Sequence, residues 1–428
     1  MKSSFIILLT MMGSVLLGQT TTVKNSPPLT EGNPAEVGMS EERLALIDQM
    51  LNEAVEGGEI PGAVALVARN GKIVFHKSFG MADVESGRSF EADDIFRIAS
   101  QTKAITSTAV MLLWEEGKFR LDDPISKFIP EFKHAMVLDS LIEADSSFIA
   151  SPADSPITIR HLITHTSGIG YGFIDNDEFR KIFAKAGITD AWTAEPIVLG
   201  DNIRKLAALP LHHNPGLKFT YSEGIDVLGY LVEILSGMPL DRFFQERIFN
   251  PLGMNDTYFY LPESKYDRLV PVQIKENEGW IRFSTPSYDV EYPIKGAKTQ
   301  FSGGGGLSST AKDYATFLQM YLNQGELNGV RLLSRTTVEV IMANQIGTIW
   351  GNSGAYYGLA FQVIDQIGED QGGRGSAGTF EWGGYFNTQY FADPKEQVIG
   401  ILMKQTQGDS GDQTAWKFRQ LIGQAIDD

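Results

Sequence analysis

The sequence predicts an α+β fold: an antiparallel sheet flanked by helices, with a mostly helical segment inserted roughly between residues 120 and 270. Three observations carry that expectation. Near the N-terminus, Gly62 to Ala68 and Lys72 to Lys77 are apolar-rich runs that flank Asn70-Gly71, a pair suited to a tight hairpin turn because both turn positions need positive φ. Near the C-terminus, Tyr385 to Phe391 and Gln397 to Met403 read as a second pair of strands around Asp393-Pro394. Between the two, Pro124, Pro130, Pro152, Pro156, Pro215-Gly216 and Pro251-Leu252-Gly253 break the chain into loops and helices. A sheet assembled from both chain ends, with helices outside it, accommodates all three.

The individual elements follow from local chemistry. Ser40 supplies an N-cap for a helix from Glu41 to Glu56, and Gly57 ends it. Gly224 to Leu235 reads as a helix stopped by Gly237, and Thr414 to Ile426 as a closing helix. From Lys103 to Trp114 the residues are apolar or small almost all round, the pattern of a buried helix rather than a half-exposed one.

Composition narrows the class. The chain has 428 residues, 43% of them hydrophobic, enough for a large core. Its net charge of −17 argues against nucleic acid or anionic membrane surfaces as partners. Residues 1–18 read as a secretory signal: Lys2, the apolar run from Phe5 to Leu17, then Gly18. The run is too short to span a bilayer, and no later apolar run is long enough, so an exported protein without a membrane span is expected, periplasmic or extracellular. Residues 19–37 read as a polar linker. With no cysteine, neither a disulfide framework nor a lipid-modified thiol is possible.

The candidate chemistry begins at Ser100. Ser100 and Lys103 are spaced to share one helix face, with Cβ atoms roughly 5–6 Å apart. A serine hydroxyl needs an adjacent base to act as a nucleophile. Burial disfavours a charged amine, which can bring a lysine into range for that task. At the start of a helix, free N–H groups and the helix dipole favour developing negative charge. A proton relay is then required, and Tyr221, in Asn214-Pro215-Gly216-Leu217-Lys218-Phe219-Thr220-Tyr221-Ser222 just before the Gly224 helix, is the candidate. Backbone donors for an oxyanion call for glycines where chain and substrate meet. Trp382-Gly383-Gly384, read as opening the C-terminal hairpin, fits that need.

Taken in this order, the three pieces resemble the serine β-lactamase and penicillin-binding superfamily, and most closely its class C-related branch that includes bacterial carboxylesterases. Thr158 to Gly168, Asn250 to Met254 and Gly303 to Leu307 resemble the family as well. The resemblance covers residues 38 to 425 and implies a β-lactamase/transpeptidase-like fold with its site between sheet and helical subdomain. It implies Ser100 as nucleophile, Lys103 as its partner, and Tyr221 as general base, with the N–H groups of Ser100 and Tyr385 as the oxyanion hole. Trp382 stands where β-lactamases and D,D-peptidases carry the lysine of Lys-Thr-Gly, and Glu223 where class C enzymes carry the asparagine of Tyr-x-Asn. Both departures disfavour β-lactams and suit neutral esters. Glu223 is expected to pair with Lys103, and Trp382, Gly383, Gly384, Glu223 and Tyr171 to contact substrate, with Phe173 beside Tyr171 lining an acyl pocket. The expected activity is serine hydrolysis of esters or small amides without metal or cofactor. The alternatives are a D,D-peptidase or β-lactamase, and a catalytically silent binding member of the fold.

Other motifs carry blander readings. The six histidines show no metal spacing. His161 and His165 are expected to satisfy backbone groups, and His212-His213 to be a solvated turn. The Gly303–Gly306 run is expected to pack closely near the cleft. Lys298-Thr299-Gln300 and Gly408 to Asp412 read as loops.

Overall fold

Both hairpins form and meet at the centre of one sheet. The computed structural model describes residues 20–21 and 26–428 apart from 191, 278, 409 and 410. The signal expected at 1–18 and the middle of the loop from Gly408 to Asp412 therefore lie outside the described residues. The sheet strands are β1 (Thr30–Glu31), β2 (Gly62–Arg69), β3 (Lys72–Asp83), β4 (Ala355–Tyr357), β5 (Gln362–Ile364), β6 (Phe380–Gly383), β7 (Thr388–Asp393) and β8 (Val398–Met403). Their spatial order is β4-β5-β6-β7-β8-β2-β3-β1, and Arg88–Ser89 adds to β3. The β8–β2 pairing, from Val398 opposite Arg69 to Met403 opposite Val64, joins the chain's two ends. Asn70 and Gly71 turn the first hairpin at φ +51° and +75°, as its type requires. Every pairing on this path is antiparallel except that of β1 with β3, which is parallel.

Strand β2 is buried along its whole length because helices cover both faces of the sheet. Helix α1 (Glu41–Glu56) is capped by Ser40, which accepts the Arg43 N–H, and it is closed by Gly57. Together with the closing helix (Thr414–Ala425) it lies on one face, where Ile47, Leu51, Phe418 and Ile422 pack with Ala63, Ala65 and Val67. The other face, carrying Val64, Leu66 and Ala68, is covered by the helix Ala311–Leu322 and shares its core with helix α2 (Thr102–Glu115), whose residues from Thr102 to Leu113 are all buried. The two-residue alternation of β2 thus divides its side chains between two cores.

The segment between 120 and 270 holds several short helices and helix α3 (Gly224–Ser236), stopped by Gly237 at φ +69°. It also holds a hairpin, Met136–Ile142 with Ser147–Pro152, that the sequence reading lacked. The Trp-Gly-Gly segment differs from expectation too. Trp382 and Gly383 close β6 rather than open a hairpin, Gly384 to Asn387 form the turn, and Tyr385 precedes β7. His212-His213 is not a solvated turn. His212 meets Asp175 at 2.8 Å and stacks on Phe179, while His213 Nε2 lies 2.8 Å from the Thr220 hydroxyl.

Candidate active site

Ser100 lies where a short strand turns into a buried helix. Phe96–Arg97 pairs antiparallel with Ser308–Ser309, and the Ile98 N–H donates to Leu307. Ala99 then takes a left-handed φ of +43° while almost fully buried, a conformation that costs about 1–3 kcal/mol and is held by its surroundings. That bend delivers Ser100, half-exposed, at the front of α2. Lys103, one turn further on, is 1% exposed. Its Nζ lies 3.4 Å from Ser100 Oγ, 3.3 Å from Tyr171 Oη and 2.6 Å from the Gly304 carbonyl. Three oxygens match the three donors of an ammonium. Nζ also sits 4.5 Å above the Tyr221 ring and 5.0 Å above that of Tyr171, a favourable cation–π placement.

The loop from Thr164 to Gly170 positions both tyrosines. His165 and Gly170 carbonyls accept the Thr220 and Glu223 N–H groups, and the Thr166 carbonyl accepts that of Gly216. Tyr221 is pinned between these bonds and helix α3. Its ring stacks on Tyr171 at 5.7 Å and on Trp382 at 5.9 Å, and His165 lies 4.7 Å away. The Tyr221 hydroxyl is buried with no hydrogen-bond partner among the described residues. His165 Nδ1 faces the Ser222 N–H at 3.2 Å, and His161 Nδ1 that of Thr158 at 3.3 Å, so both rings satisfy backbone as expected. Burial first, then the charge of Lys103, pushes His165 well below the ordinary histidine range.

The glycine run wraps the front of α2. The Thr106 hydroxyl donates to Gly303 O at 2.7 Å, Lys103 to Gly304 O, and Trp192 Nε1 to Gly305 O at 2.8 Å. A Cβ on Gly304 would fall 2.2 Å from Asp226 Oδ2, so a larger residue there would have to push that carboxylate aside. Sequence reasoning placed the run near the cleft but missed the contact of Gly304 with Lys103 and the parts played by Asp226 and Trp192. It also placed Tyr171 against substrate, whereas the ring is buried and its hydroxyl meets Lys103. Phe173 stands at the edge of an aromatic group with Trp192, Tyr288 and Tyr385.

Gly384 brings the end of β6 against the Ser100 segment. A Cβ there would lie 2.5 Å from the Ile98 carbonyl. The Gly384 N–H donates to Thr388 O at 2.7 Å, while the next N–H, of Tyr385, donates to no backbone carbonyl among the described residues. Gly383 and Trp382 are half-exposed beside Tyr221.

The expected ion pair between Glu223 and Lys103 does not form; Lys103 spends its donors on Ser100, Tyr171 and Gly304. Glu223 is 2% exposed, its Oε1 has no hydrogen-bond partner among the described residues, and burial first, with Asp190 and Asp226 adding to it, pushes its carboxyl well above the usual range. Burial also raises Asp226 and lifts Asp190 to about 6. Glu223 is therefore a buried carboxyl behind Tyr221 rather than a substrate contact.

The α+β scaffold thus brings together a half-exposed serine, a buried lysine and a tyrosine whose hydroxyl has no partner among the described residues. The chain belongs to the β-lactamase family, whose model matches residues 47–424, and it is a hydrolase of that family. It is 30% identical over 393 residues to Esterase EstB of Burkholderia gladioli, which covers 86% of this chain and 92% of the relative. It is 28% identical over 379 residues to Lovastatin esterase of Penicillium rubens, covering 83% and 91% respectively. Among solved structures, EstCE1, described as a hydrolase with promiscuous acyltransferase activity, superimposes with a TM-score of 0.77 at 25% identity, covering 89% of this chain and 98% of that one.

Proposed function

We propose that the chain cleaves carboxylic esters, or small amides, through an acyl-enzyme on Ser100. The observation that carries this reading is Ser100 Oγ at 3.4 Å from a buried Lys103, whose Nζ lies over the ring of Tyr221, a tyrosine whose hydroxyl has no hydrogen-bond partner among the described residues. In the mechanism we infer, Tyr221 acts as its phenolate opposite the Lys103 cation, takes the Ser100 proton and becomes the neutral phenol. Ser100 Oγ attacks the carbonyl carbon. The carbonyl oxygen becomes an oxyanion that accepts from the N–H groups of Ser100 and Tyr385. The C–O bond then breaks and Tyr221 returns the proton to the departing alcohol. Water, deprotonated by Tyr221, repeats the sequence and frees the acid. General acid–base work of this kind contributes roughly 10²–10⁴-fold, and each oxyanion donor about 10²–10³-fold.

Trp382 supports esters over β-lactams. An indole stacked on Tyr221 cannot hold a substrate carboxylate as a lysine there would. The relatives named esterases agree with that choice. The test is hydrolysis of p-nitrophenyl acetate, butyrate and octanoate and of a chromogenic cephalosporin by wild type and Ser100→Ala. Ester turnover lost in the variant, with little cephalosporin cleavage, supports the proposal. Comparable cephalosporin turnover would transfer the reading to a β-lactamase or D,D-peptidase, and no turnover at all would favour a silent binding protein.

Export belongs to the same proposal, resting on Lys2 and the apolar run from Phe5 to Leu17. A mature N-terminus at Gln19 on protein from the periplasm or medium supports it. Intact Met1 on cytoplasmic protein refutes it.

A further inference from the structure

Lys103 is almost fully buried, and the three oxygens its ammonium meets, on Ser100, Tyr171 and Gly304, are all neutral. A buried charge held only by neutral groups is costly unless a nearby carboxylate offsets it. Three acids, Asp190, Glu223 and Asp226, act on one another around this site, and they are not equivalent.

Glu223 Oε1 has no hydrogen-bond partner among the described residues, and burial, reinforced by Asp190 and Asp226, opposes its ionisation. Asp190 accepts the Phe173 N–H. Asp226 is the acid bonded to the backbone that meets the lysine. Its Oδ1 accepts the Gly304 N–H at 3.2 Å, and the Gly304 carbonyl accepts from Lys103 Nζ at 2.6 Å. The preceding carbonyl, of Gly303, is held by the Thr106 hydroxyl at 2.7 Å. Burial raises the Asp226 carboxyl, but the Ser302 hydroxyl, the Lys103 charge and the Gly304 N–H each pull it back. Hydrogen-bond donors and a nearby cation both favour the charged form of an acid.

We propose that Asp226 is a positioning residue of the acyl-enzyme chemistry: through Gly304 its carboxylate holds Lys103 in place and, as the counter-charge, keeps it a cation, so that Tyr221 opposite can act as a phenolate. The inference rests on the acyl-enzyme reading of Ser100 and gives a role to a residue that touches no reacting atom.

The sign of its effect on pH dependence is fixed. The Lys103–Tyr221 pair carries one positive charge with both protons on, none in the active form and one negative charge with both off. A negative neighbour raises both steps, whichever residue loses its proton first. Removing that neighbour moves both limbs of the pH profile to lower pH. Because its field bears on Lys103, removal also favours the inactive tautomer, with a neutral amine and the proton on Tyr221. The other groups facing the pair do not titrate with it. Burial first, then Lys103, holds His165 well below its ordinary range, and burial holds Tyr171 and Tyr357 well above theirs. Glu223 and Asp190 remain in place when Asp226 alone is replaced.

The experiment measures kcat/KM for p-nitrophenyl butyrate across pH in wild type and Asp226→Asn. Asparagine keeps an oxygen for the Gly304 N–H and removes only the charge. Both limbs are expected to move down by roughly one pH unit, the order of a charge–charge interaction at an effective dielectric of about 20. The maximum should fall about tenfold, the same unit expressed as a tautomer ratio. A purely structural Asp226 would leave the profile in place, because asparagine supplies the same acceptor. Limbs that stay or move up, while Ser100-dependent turnover persists, would overturn the counter-charge and leave the esterase reading intact. If wild type cleaves no ester, the esterase reading falls, and NMR of 13Cε-labelled lysine judges the proposal, with the Lys103 signal assigned by its loss in Lys103→Met. An ammonium signal lost at lower pH in Asp226→Asn than in wild type supports it, and coincident titrations overturn it. Should Asp226→Asn not fold, Gly304→Ala takes its place in both assays, since its Cβ would push the Asp226 carboxylate aside. A downward move then supports the proposal, and an unmoved profile overturns it.

Discussion

Replacing Gly384 by alanine isolates the proposed oxyanion donor without touching a reactive side chain. The new Cβ would lie 2.5 Å from the Ile98 carbonyl and 2.2 Å from Thr388 Oγ1. The threonine oxygen belongs to a side chain and can rotate, but the carbonyl belongs to the backbone that delivers Ser100. Ordinary contact begins near 3.4 Å, so the two segments must separate by roughly 0.9 Å. A misplacement of that order at a reacting centre costs about 10²-fold, comparable with deleting one oxyanion donor and equal to about 2.7 kcal/mol of barrier. The same overpacking costs about 1–3 kcal/mol of stability, which a domain of this size survives. Gly383→Ala is the internal control, because its Cβ would meet nothing closer than the Thr388 carbonyl at 3.3 Å. The assay is kcat and KM for p-nitrophenyl butyrate alongside thermal melting. We expect kcat to fall about 100-fold in Gly384→Ala with KM little changed, and Gly383→Ala to stay within about threefold of wild type. A folded Gly384→Ala within about threefold in kcat would refute the reasoning, since the Tyr385 N–H would then play no part in stabilising the transition state.

Three further outcomes are expected. Tyr221→Phe should lower kcat by about 10²–10⁴-fold without lowering Tm, because the hydroxyl it removes is buried and unpartnered and such a group contributes no stability; a fall in Tm would mean the hydroxyl is bonded. Glu223→Gln should leave the pH–rate profile unchanged, since Glu223 makes no ion pair with Lys103. Its folded-state pKa lies above the ordinary 4.5, so wild-type stability is full below about pH 4.5 and declines as pH rises towards the folded value. The Tm advantage of the glutamine variant should therefore grow above pH 4.5, and a flat or negative difference would contradict the assigned burial. Ile105→Ala, at a fully buried position of α2, should cost about 2–5 kcal/mol, measured by denaturant unfolding; a loss under about 1 kcal/mol would mean the helix is not packed as described.

Much of the scaffold was legible because its signals are local. Asn70-Gly71 needs no distant partner to turn, Ser40 and Gly57 bound their own helix, and the apolar periphery of α2 announces burial on every side. Ser100, Lys103 and Tyr221 were legible for the same reason, each standing at the start of a recognisable element. The hairpin at Met136–Pro152 and the three-residue strands β4 and β5 were not, because segments so short owe their shape to the neighbours they pair with. Trp382-Gly383-Gly384 was found but assigned to the wrong end of a strand. Gly384 answers to the Ile98 carbonyl, which lies far away in sequence. The Lys103 environment was the hardest to read. Tyr171 is 68 residues from it and Gly304 is 201, and the acid expected to pair with it, Glu223, does not.

That environment explains how a lysine can sit inside a greasy helix. Left among Ile105, Ala109 and their neighbours, an ammonium would cost several kcal/mol. The structure meets the charge from three separate segments at once: a carbonyl from the glycine run, a hydroxyl from the Tyr171 loop, and two ring faces, one of them Tyr221. Each partner is oriented by something outside the site. Gly304 is set by Asp226, which accepts its N–H at 3.2 Å, and Tyr221 by the His165 loop. Asp226 in turn is a member of α3, the helix that Tyr221 precedes. Moving the lysine's carbonyl partner therefore moves the helix that carries the tyrosine, so the two groups on either side of Ser100 are coupled through Asp226. In this arrangement the glycine run is the structural price of a close carbonyl rather than a phosphate cradle. It also accounts for a departure from the lysine-rich β-lactamase pattern. With one cation already engaged beneath Tyr221, an apolar Trp382 stacks on that ring where the family pattern would bring a second cation.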